Sequence, residues 1–391
     1  MAHSHLKENP AMSDATPPMQ SWALGRHQVE LPANWGHPLG GGKLYFGLGA
    51  DHETVDVDLL GQDITQAQFD EALTERAQRI SAVENSEVTK SMLITATELA
   101  PGKQLLQYYL SSGGTRSQTY ELHIRVNGAH VMLSANAHNG NNAKVESRLI
   151  ALAEQVAAIR QGETAGPGFA LGAVIIRSAH DHEQATVRFV APGSNVRLKF
   201  YISAVTPDES PRLIDRMARD SKVFNADDHE VLRKGRTTLA GNPAEEYLLA
   251  YEMDAHRELL FVAENYRDNR SLANPTINVR LTAGGVRNTP IDPDISPDKL
   301  LNWLMPGFVP RRDPPLWQRK PRPSAVDPVL SNEEIVAIWD HAIRSLRPRY
   351  GAVASPKVES ERFFRGVTPG QAEKDRISLD AFIASEPGTK E

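Results

Sequence analysis

Two stretches of this chain say nearly the same thing. Ala23-Leu24-Gly25-Arg26-His27-Gln28-Val29 is echoed by Phe169-Ala170-Leu171-Gly172-Ala173-Val174-Ile175, with Gly25 and Gly172 147 residues apart. That spacing is about the size of one ordinary domain. The same order of signals follows each echo: a strand, a capped helix, a hairpin around a Pro-Gly or Ala-Gly turn, more strands and a closing helix. A repeat of this length restricts the architecture more than any local propensity does. It predicts an α+β fold of two tandem related lobes, each an antiparallel sheet covered by helices. A two-lobed body with no catalytic constellation points to a protein that grips rather than transforms.

With 391 residues, two or three domains with substantial cores are expected. The formal net charge of −6 argues against nucleic acid as a partner, since nucleic-acid binders usually show a basic face. There are no cysteines, which removes disulfides, thiol nucleophiles and thiolate metal sites together. No stretch approaches the ~20 apolar residues that cross a bilayer, so no integral membrane segment is expected. The opening Met1-Ala2-His3-Ser4-His5-Leu6-Lys7 lacks the apolar centre of an export signal, so the sequence as written reads as unexported.

Residues 1–18 are polar and Pro-bearing and read as a disordered N-terminal segment. The first lobe is expected over 19–161. Its first strand is Arg26 to Leu31, with further strands at Lys43 to Phe46 and Val55 to Leu59 around a turn at Gly40-Gly41-Gly42. Thr65-x-x-Gln68 is a capping box, and Phe69, Leu73, Ala77 and Ile80 share one helical face behind it. Met92 to Leu99 and Gln104 to Leu110 flank Ala100-Pro101-Gly102-Lys103, a hairpin signal. In Thr119 to Val126, Tyr120, Leu122, Ile124 and Val126 alternate with Glu121, His123 and Arg125, the pattern of a half-buried strand. Asn127-Gly128 turns the chain into His130 to Ser134. A polar loop from Asn136 to Asn142 leads to a helix with Val145, Leu149, Leu152, Val156 and Ile159 inward.

Residues 162–168 read as a linker, and 169–350 as the second lobe. Strands are expected at Phe169 to Ser178, Ala185 to Val190 and Val196 to Ser203. Thr206-Pro207-Asp208-Glu209 is again a capping box, before a helix with Leu213, Met217 and Ile214 inward. Leu239-Ala240-Gly241-Asn242-Pro243 takes the hairpin place, followed by strands at Ala244 to Tyr251, Glu258 to Glu264 and Ile277 to Leu281. A Pro- and Arg-rich insertion over 285–330 separates these from Ser331-Asn332-Glu333-Glu334, the cap of a closing helix with Ile335, Ile338, Trp339, Ala342, Ile343 and Leu346. The tail, 351–391, is weakly patterned.

The chemistry is sparse. There is no Gly-x-Ser-x-Gly elbow, no phosphate-cradling loop and no His-Glu-x-x-His. His180-Asp181-His182-Glu183 is the best metal-like cluster, but it reads as a polar loop between strands, and no metal or cofactor is assigned. Asp227-Asp228-His229-Glu230 reads likewise. Glu245 and Glu246 are strand neighbours facing opposite ways, so they do not form an acid–base pair. Arg311, Arg312, Arg319, Lys320 and Arg322 surround Trp317 in a loop expected to pack across the second lobe.

The pattern resembles the immunity proteins that protect bacteria from lipase effectors of type VI secretion. The resemblance rests on Leu24-Gly25-Arg26-His27, on Gly168-Phe169-Ala170-Leu171-Gly172, and on Gly235-Arg236-x-x-Leu239-Ala240-Gly241-x-Pro243-Ala244-Glu245-Glu246. Val279-Arg280-Leu281-Thr282-Ala283-Gly284 resembles a strand ending in Thr-Gly in that family. It implies two lobes held like a claw, no enzymatic activity, and stoichiometric binding of a secreted phospholipase or lipase that blocks its active site or lid. It also implies a periplasmic location. Many relatives carry Cys where this chain has Ala23 and Ala170.

A claw would bind through loops at its mouth. That makes Asn136, His138, Asn139, Asn141, His180, Asp181, His182, Asp227 and Asp228 the candidate partner-binding residues, with Trp35, Tyr45 and Tyr266 as candidate aromatic anchors. Two rival readings stand beside this one. One is a non-catalytic envelope or scaffold module with a different protein partner; the other is a hydrolase built on His180, Asp181 and their neighbours.

Overall fold

The computed structural model describes residues 18–35, 38–47, 53–138, 140–159, 165–205, 211–220, 229–253, 256–265, 271–286 and 325–353. The capping box at Thr206, the Arg-rich stretch around Trp317 and the tail beyond 353 lie outside these residues, as do Asn139, Asp227, Asp228 and Tyr266.

The first repeat runs β1 (Met19–Gly25), β2 (His27–Pro32), β3 (Leu39–Phe46), β4 (Glu53–Gly61) and α1 (Gln66–Ser81). A small ribbon follows, β5 (Glu84–Asn85) with β6 (Lys90–Ser91). Then come β7 (Leu93–Ala100), β8 (Lys103–Ser111), β9 (Gly114–Val126), β10 (Ala129–His138), α2 (Asn142–Ala153) and β11 (Val156–Ala158). The second repeat follows the same order with β12 (Phe169–Gly172), β13 (Val174–Ile176), β14 (His182–Val190), β15 (Arg197–Ser203) and α3 (Leu213–Asp220). It continues through β16 (His229–Leu239), β17 (Asn242–Met253), β18 (His256–Asn265) and β19 (Thr276–Val286). β20 (Ala325–Val326), α4 (Asn332–Ser345) and β21 (Arg347–Pro348) complete it.

Strand dominates, and the two repeats are joined rather than merely adjacent. The echoed segments pair with each other: Ala23 faces Gly172, Leu24 faces Leu171 and Gly25 faces Ala170 in an antiparallel ladder. The register is symmetric about the Leu24–Leu171 pair. Each echo then turns back on itself, Leu24 against His27 and Leu171 against Val174, through Gly25 and Gly172, both at φ +56°. The single first strand expected at Arg26 to Leu31 is therefore a hairpin, and a residue with a Cβ would be strained at either glycine. β21 and β11 add to the outer edges, giving the six-stranded order β11-β13-β12-β1-β2-β21.

The large sheet obeys the same symmetry. Its order is β7-β8-β9-β10-β4-β3-β14-β15-β19-β18-β17-β16, with β20 attached to β19 to make thirteen strands. Read from either end, the strands appear in corresponding order, and the repeats meet where β3 pairs β14. The expected pair of lobes thus takes the form of two repeats that share both sheets. α2 and α4 start at Asn142 and Asn332, 190 residues apart against 147 for the echo, so the second repeat carries 43 more residues ahead of its closing helix.

One apolar core lies between the sheets and contains residues of both repeats: Trp22, Leu24, Leu44, Val57, Phe169, Leu171, Phe189, Phe200, Phe261 and Trp339. α2 packs on β9 and β10, while α4 packs on β2, β16 and β19. The capping boxes at Thr65–Gln68 and Ser331–Glu334 are both formed as expected. Two expectations are corrected. Gly40-Gly41-Gly42 is not a turn but part of β3, paired with β4 on one side and β14 on the other; glycine is required there because a Cβ at Gly41 would collide with the Asp58 carboxylate and one at Gly42 with the Phe169 ring. The closing helix of the first repeat stops at Ala153, since Val156, Ala157 and Ala158 pair with Ile176, Ile175 and Val174.

Candidate interaction surface

Strand alternation sorts the charged residues of the large sheet onto two faces. Val187, Phe189, Leu198, Phe200, Val279 and Leu281 point into the core. Their neighbours point outward. On this outer face α1 covers β7 and β8, and α3 covers β17. Under α1 the outward residues of β9 are buried, contrary to the half-buried expectation. Glu121 is 1% exposed and His123 3%, because Arg76 of α1 reaches down to Glu121 (2.7 and 3.1 Å) while Tyr108 donates to it at 2.6 Å. Burial alone would raise the Glu121 carboxyl, but the Arg76 charge and the His123 hydrogen bond hold it well below the usual range.

Between the helices lies a stretch of outer face that crosses the repeat junction. Tyr45 of β3 donates to Gln184 of β14 (3.3 Å), and Gln184 donates to the Tyr201 hydroxyl of β15 (2.8 Å). Lys43 pairs with Asp56 at 3.0 Å. Burial first, then repulsion by Asp56 and Glu121, pushes Asp58 up to about 7. On the other side, Arg188 of β14 stands directly opposite Lys199 of β15, which stands directly opposite Arg280 of β19. Arg197 lies on the same face two residues from Lys199. Desolvation, then the charges of Arg188 and Arg280, lower the Lys199 ammonium.

The inner face of β14 holds a very different cluster. Arg26, at the tip of the β1–β2 hairpin, donates through Nε to Glu183 (2.9 Å) and through Nη1 to the Ala352 carbonyl. His180 Nε2 donates to the same Glu183 oxygen at 2.7 Å, and the His180 side chain is fully buried. Arg349 donates to the carbonyls of Gly25 (2.8 Å), Gly166 and Gly168. One buried knot therefore ties the first hairpin, the inter-repeat linker, β14 and the end of the described chain. Burial favours the neutral carboxyl, but the His180 hydrogen bond and the Arg26 charge hold Glu183 below its ordinary value. Burial holds Arg349 down to about 10 and His27 to about 4.

The residues singled out from sequence are dispersed. His180 lies inside the knot, not on a loop facing a partner. Asp181 is exposed and accepts from the Gly47 amide at 2.6 Å, and His182 starts β14 on the outer face beside Tyr45. Asn136 and His138 end β10, where Asn136 accepts from Thr119 and His138 is exposed against Ser117. Asn141 precedes α2 and accepts from the His138 amide. Trp35 is buried in the core, whereas Tyr45 is on the outer face. Glu245 and Glu246 do face opposite ways: Glu245 accepts from the Ile214 amide of α3, and Glu246 from Trp339 of α4. Among the described residues no group of His, Asp and Glu is arranged to hold a metal ion. The cationic row was missed, although each of its strands shows a base alternating with apolar residues.

Residues 164–304 match the family model of the Tle cognate immunity protein 4 C-terminal domain. The chain is also similar in fold to the immunity protein TplEi of the type VI secretion system from Pseudomonas aeruginosa, in its apo form. TM-score is 0.55 at 17% identity, over 86% of this chain and 98% of that one. A second similar structure is a crystal structure of a Tle4–Tli4 complex, with TM-score 0.56, 17% identity and the same coverage. A third is TplEi complexed with an "L" peptide, with TM-score 0.50, 17% identity and coverage of 86% and 99%. No curated protein matches the chain in sequence.

Proposed function

We propose that this chain is an immunity protein of a type VI secretion system, binding and inhibiting a cognate lipase effector. The observation that carries this reading is the match of residues 164–304 to the Tle cognate immunity protein 4 C-terminal domain, supported by the likeness in fold of 86% of the chain to immunity proteins. The reading assigns the chain no catalysis. Among the described residues the buried His–carboxylate pairs His180–Glu183 and His123–Glu121 are already engaged by the guanidinium groups of Arg26 and Arg76. Inhibition is stoichiometric: two repeats fused through shared sheets form a rigid body that needs little ordering on binding. That body occludes the active site or holds the lid of the effector. His138, Asn141, Asp181 and His182 contribute at the rim of the contact. The site of action is the periplasm, where such an effector meets phospholipid. Among the described residues no helix is long and apolar enough to cross a membrane.

The test is to mix the purified protein with the lipase encoded beside its gene and to follow lipid hydrolysis and complex mass together. The expected result is complete inhibition at a fixed molar ratio with a stable complex. Undiminished hydrolysis and separate elution sink the proposal and leave a scaffold module in its place.

A further inference from the structure

We infer that α1 is an acid-released flap: the buried His123–His130 pair beneath it lets the helix dock on the sheet only while one of the two rings stays neutral. This property of the fold is independent of the identity of any partner. It shows first as a difference between the repeats. α1 begins at Gln66 and α3 at Leu213, 147 residues apart, the offset of the echo, and each packs on the outer face of its own half of the sheet. Beneath α3 lie Tyr247, Leu249, Leu260 and Val262, an apolar layer, with Glu264 held by Arg216 of the helix. Beneath α1, β9 and β10 place Glu121, His123 and His130. The fold accepts apolar residues at this place, and the first repeat has titratable ones.

α1 is also lightly attached. Its buried apolar residues are Phe69, Leu73 and Ile80, and none belongs to the core between the sheets. Ile80 packs with Met92, Leu106 and Tyr108 in a small cluster of its own. Elements held by few apolar contacts open locally, without global unfolding.

Hydrogen bonding limits the protons the pair can hold. The ionised Glu121 only accepts, so His123 donates to it from Nε2 at 3.3 Å. His123 Nδ1 lies 3.0 Å from His130 Nε2, and one of these two atoms must be without a hydrogen. Protonating both rings would set two N–H groups and two cations against each other. Phe69 of α1 packs against the His130 ring, centroids 4.8 Å apart, and leaves it 6% exposed. Burial, then the His123 charge, hold His130 at about 3, against an ordinary 6.5 once the helix is off the sheet. The open state therefore binds a proton that the docked state refuses. Docking has full support above pH 6.5 and loses it as pH falls toward 3. The charged groups around the pair are Glu121 and Arg125 on β9, Arg76 on α1, and Asp58 on β4 with Asp56 and Lys43 beside it. Arg76 binds Glu121, and Arg125 donates to the Ile64 carbonyl at 3.0 Å. Asp58, raised by burial, works in the opposite direction.

The experiment follows hydrogen exchange of the full chain at about pH 7 and about pH 5, corrected for intrinsic rates, in wild type and His130→Gln. Asp58 titrates in both proteins, so their difference isolates His130. The opening constant of the α1 amides is expected to rise about 25-fold more in wild type than in the variant, the effect of one proton bound at 6.5 when open and at about 3 when docked. The α3 amides, on their apolar layer, change equally in the two proteins and serve as the internal reference. Nuclear magnetic resonance of labelled histidine rings in wild type needs no substitution and decides alone if His130→Gln does not fold. His130 is expected to stay neutral wherever α1 is protected and to take its proton as that protection is lost. An equal rise in the two proteins overturns the inference. So does a loss of protection shared by α1 and α3, which is loosening of the whole body, or a His130 ring that is protonated while α1 remains protected.

Discussion

β14 carries two charge clusters on its two faces, and they are organised by opposite rules. Inward, Glu183 is met by Arg26 and His180, and Arg349 spends its donors on three carbonyls. Outward and five residues on, Arg188 stands beside Lys199 and Lys199 beside Arg280. The inner cluster joins donors to acceptors, with the Glu183 carboxylate between Arg26 and His180 and Arg349 on three carbonyls, although Arg349 Nε and His27 Nδ1 are buried without a hydrogen-bond partner. Its role is mechanical: it locks the symmetric hairpins to the linker and to the chain after α4. The outer cluster instead sets like charges directly opposite one another across two neighbouring strand pairs.

The comparison breaks most readily at Glu183. Glu183→Gln leaves the buried guanidinium of Arg26 without its counter-charge, and removing one partner of a buried pair costs about 3–5 kcal/mol. Urea unfolding of the variant is expected to lose that much relative to wild type. A loss below about 1 kcal/mol would show that the knot is not what fastens the repeats together.

How far the knot could be read from sequence shows where such reading stops. The echoed segments at Ala23 and Phe169, the capping boxes at Thr65 and Ser331 and the hairpin turns at Pro101-Gly102, Asn127-Gly128 and Ala240-Gly241 are read from short stretches of sequence, and these are present in the structure. His180 and Glu183 looked like solvated loop residues because the group that buries them, Arg26, is 157 residues from Glu183 in sequence. Glu121 and His123 looked solvent-facing because Arg76 lies on a helix 45 residues before Glu121. Gly40-Gly41-Gly42 has the composition of a turn; what makes it a strand is pairing with β4 and with β14, more than 140 residues away, and the approach of Phe169 and Asp58 explains why it is glycine. Val156 continues the helical spacing of α2, yet pairing with Ile176 takes it into a strand. Alternation did reveal which strand faces are apolar. It could not reveal what stands opposite the polar face.

The knot also predicts an acid response. His27 is held to about 4, chiefly by burial, with Glu183 pulling up and Arg349 pushing down. Its folded value lies below the unfolded 6.5, so the unfolded chain takes up the proton first. The associated stability is intact above pH 6.5 and is lost as pH falls toward 4. At 1.36 kcal/mol per unit, the loss is about 3 kcal/mol. His130, held to about 3 by burial and by His123, adds a parallel loss. His27→Gln should therefore flatten the fall in unfolding free energy between pH 6.5 and 4.5. An unchanged slope would remove His27 from the acid response.

Asp58 tests the acidic side of the outer face with the opposite sign. Its carboxyl is raised to about 7, first by burial and then by Asp56 and Glu121. The folded chain therefore binds this proton more tightly than the unfolded chain. The stability it brings is complete below about pH 3.8 and is lost as pH rises through 7. Asp58→Asn keeps the neutral shape and should stabilise the protein by about 2 kcal/mol at pH 7.5, with the gain vanishing near pH 4. A variant no more stable than wild type at pH 7.5 would mean that the Asp58 carboxylate finds enough compensation near Lys43.

The smallest effect bears most directly on the comparison. If the cationic row is held against the preference of the fold, Lys199→Gln with Arg280→Gln should raise the free energy of unfolding by roughly 0.5–1 kcal/mol, the range of like-charge cross-strand pairs. Salt sharpens the test. Screening already relieves repulsion between exposed charges, so the gain should be largest at low ionic strength and fade toward about 1 M. A variant less stable than wild type would place the row with the inner cluster, as structure. A salt-sensitive gain means that the fold tolerates a small standing repulsion on one face of a strand whose other face is almost fully satisfied.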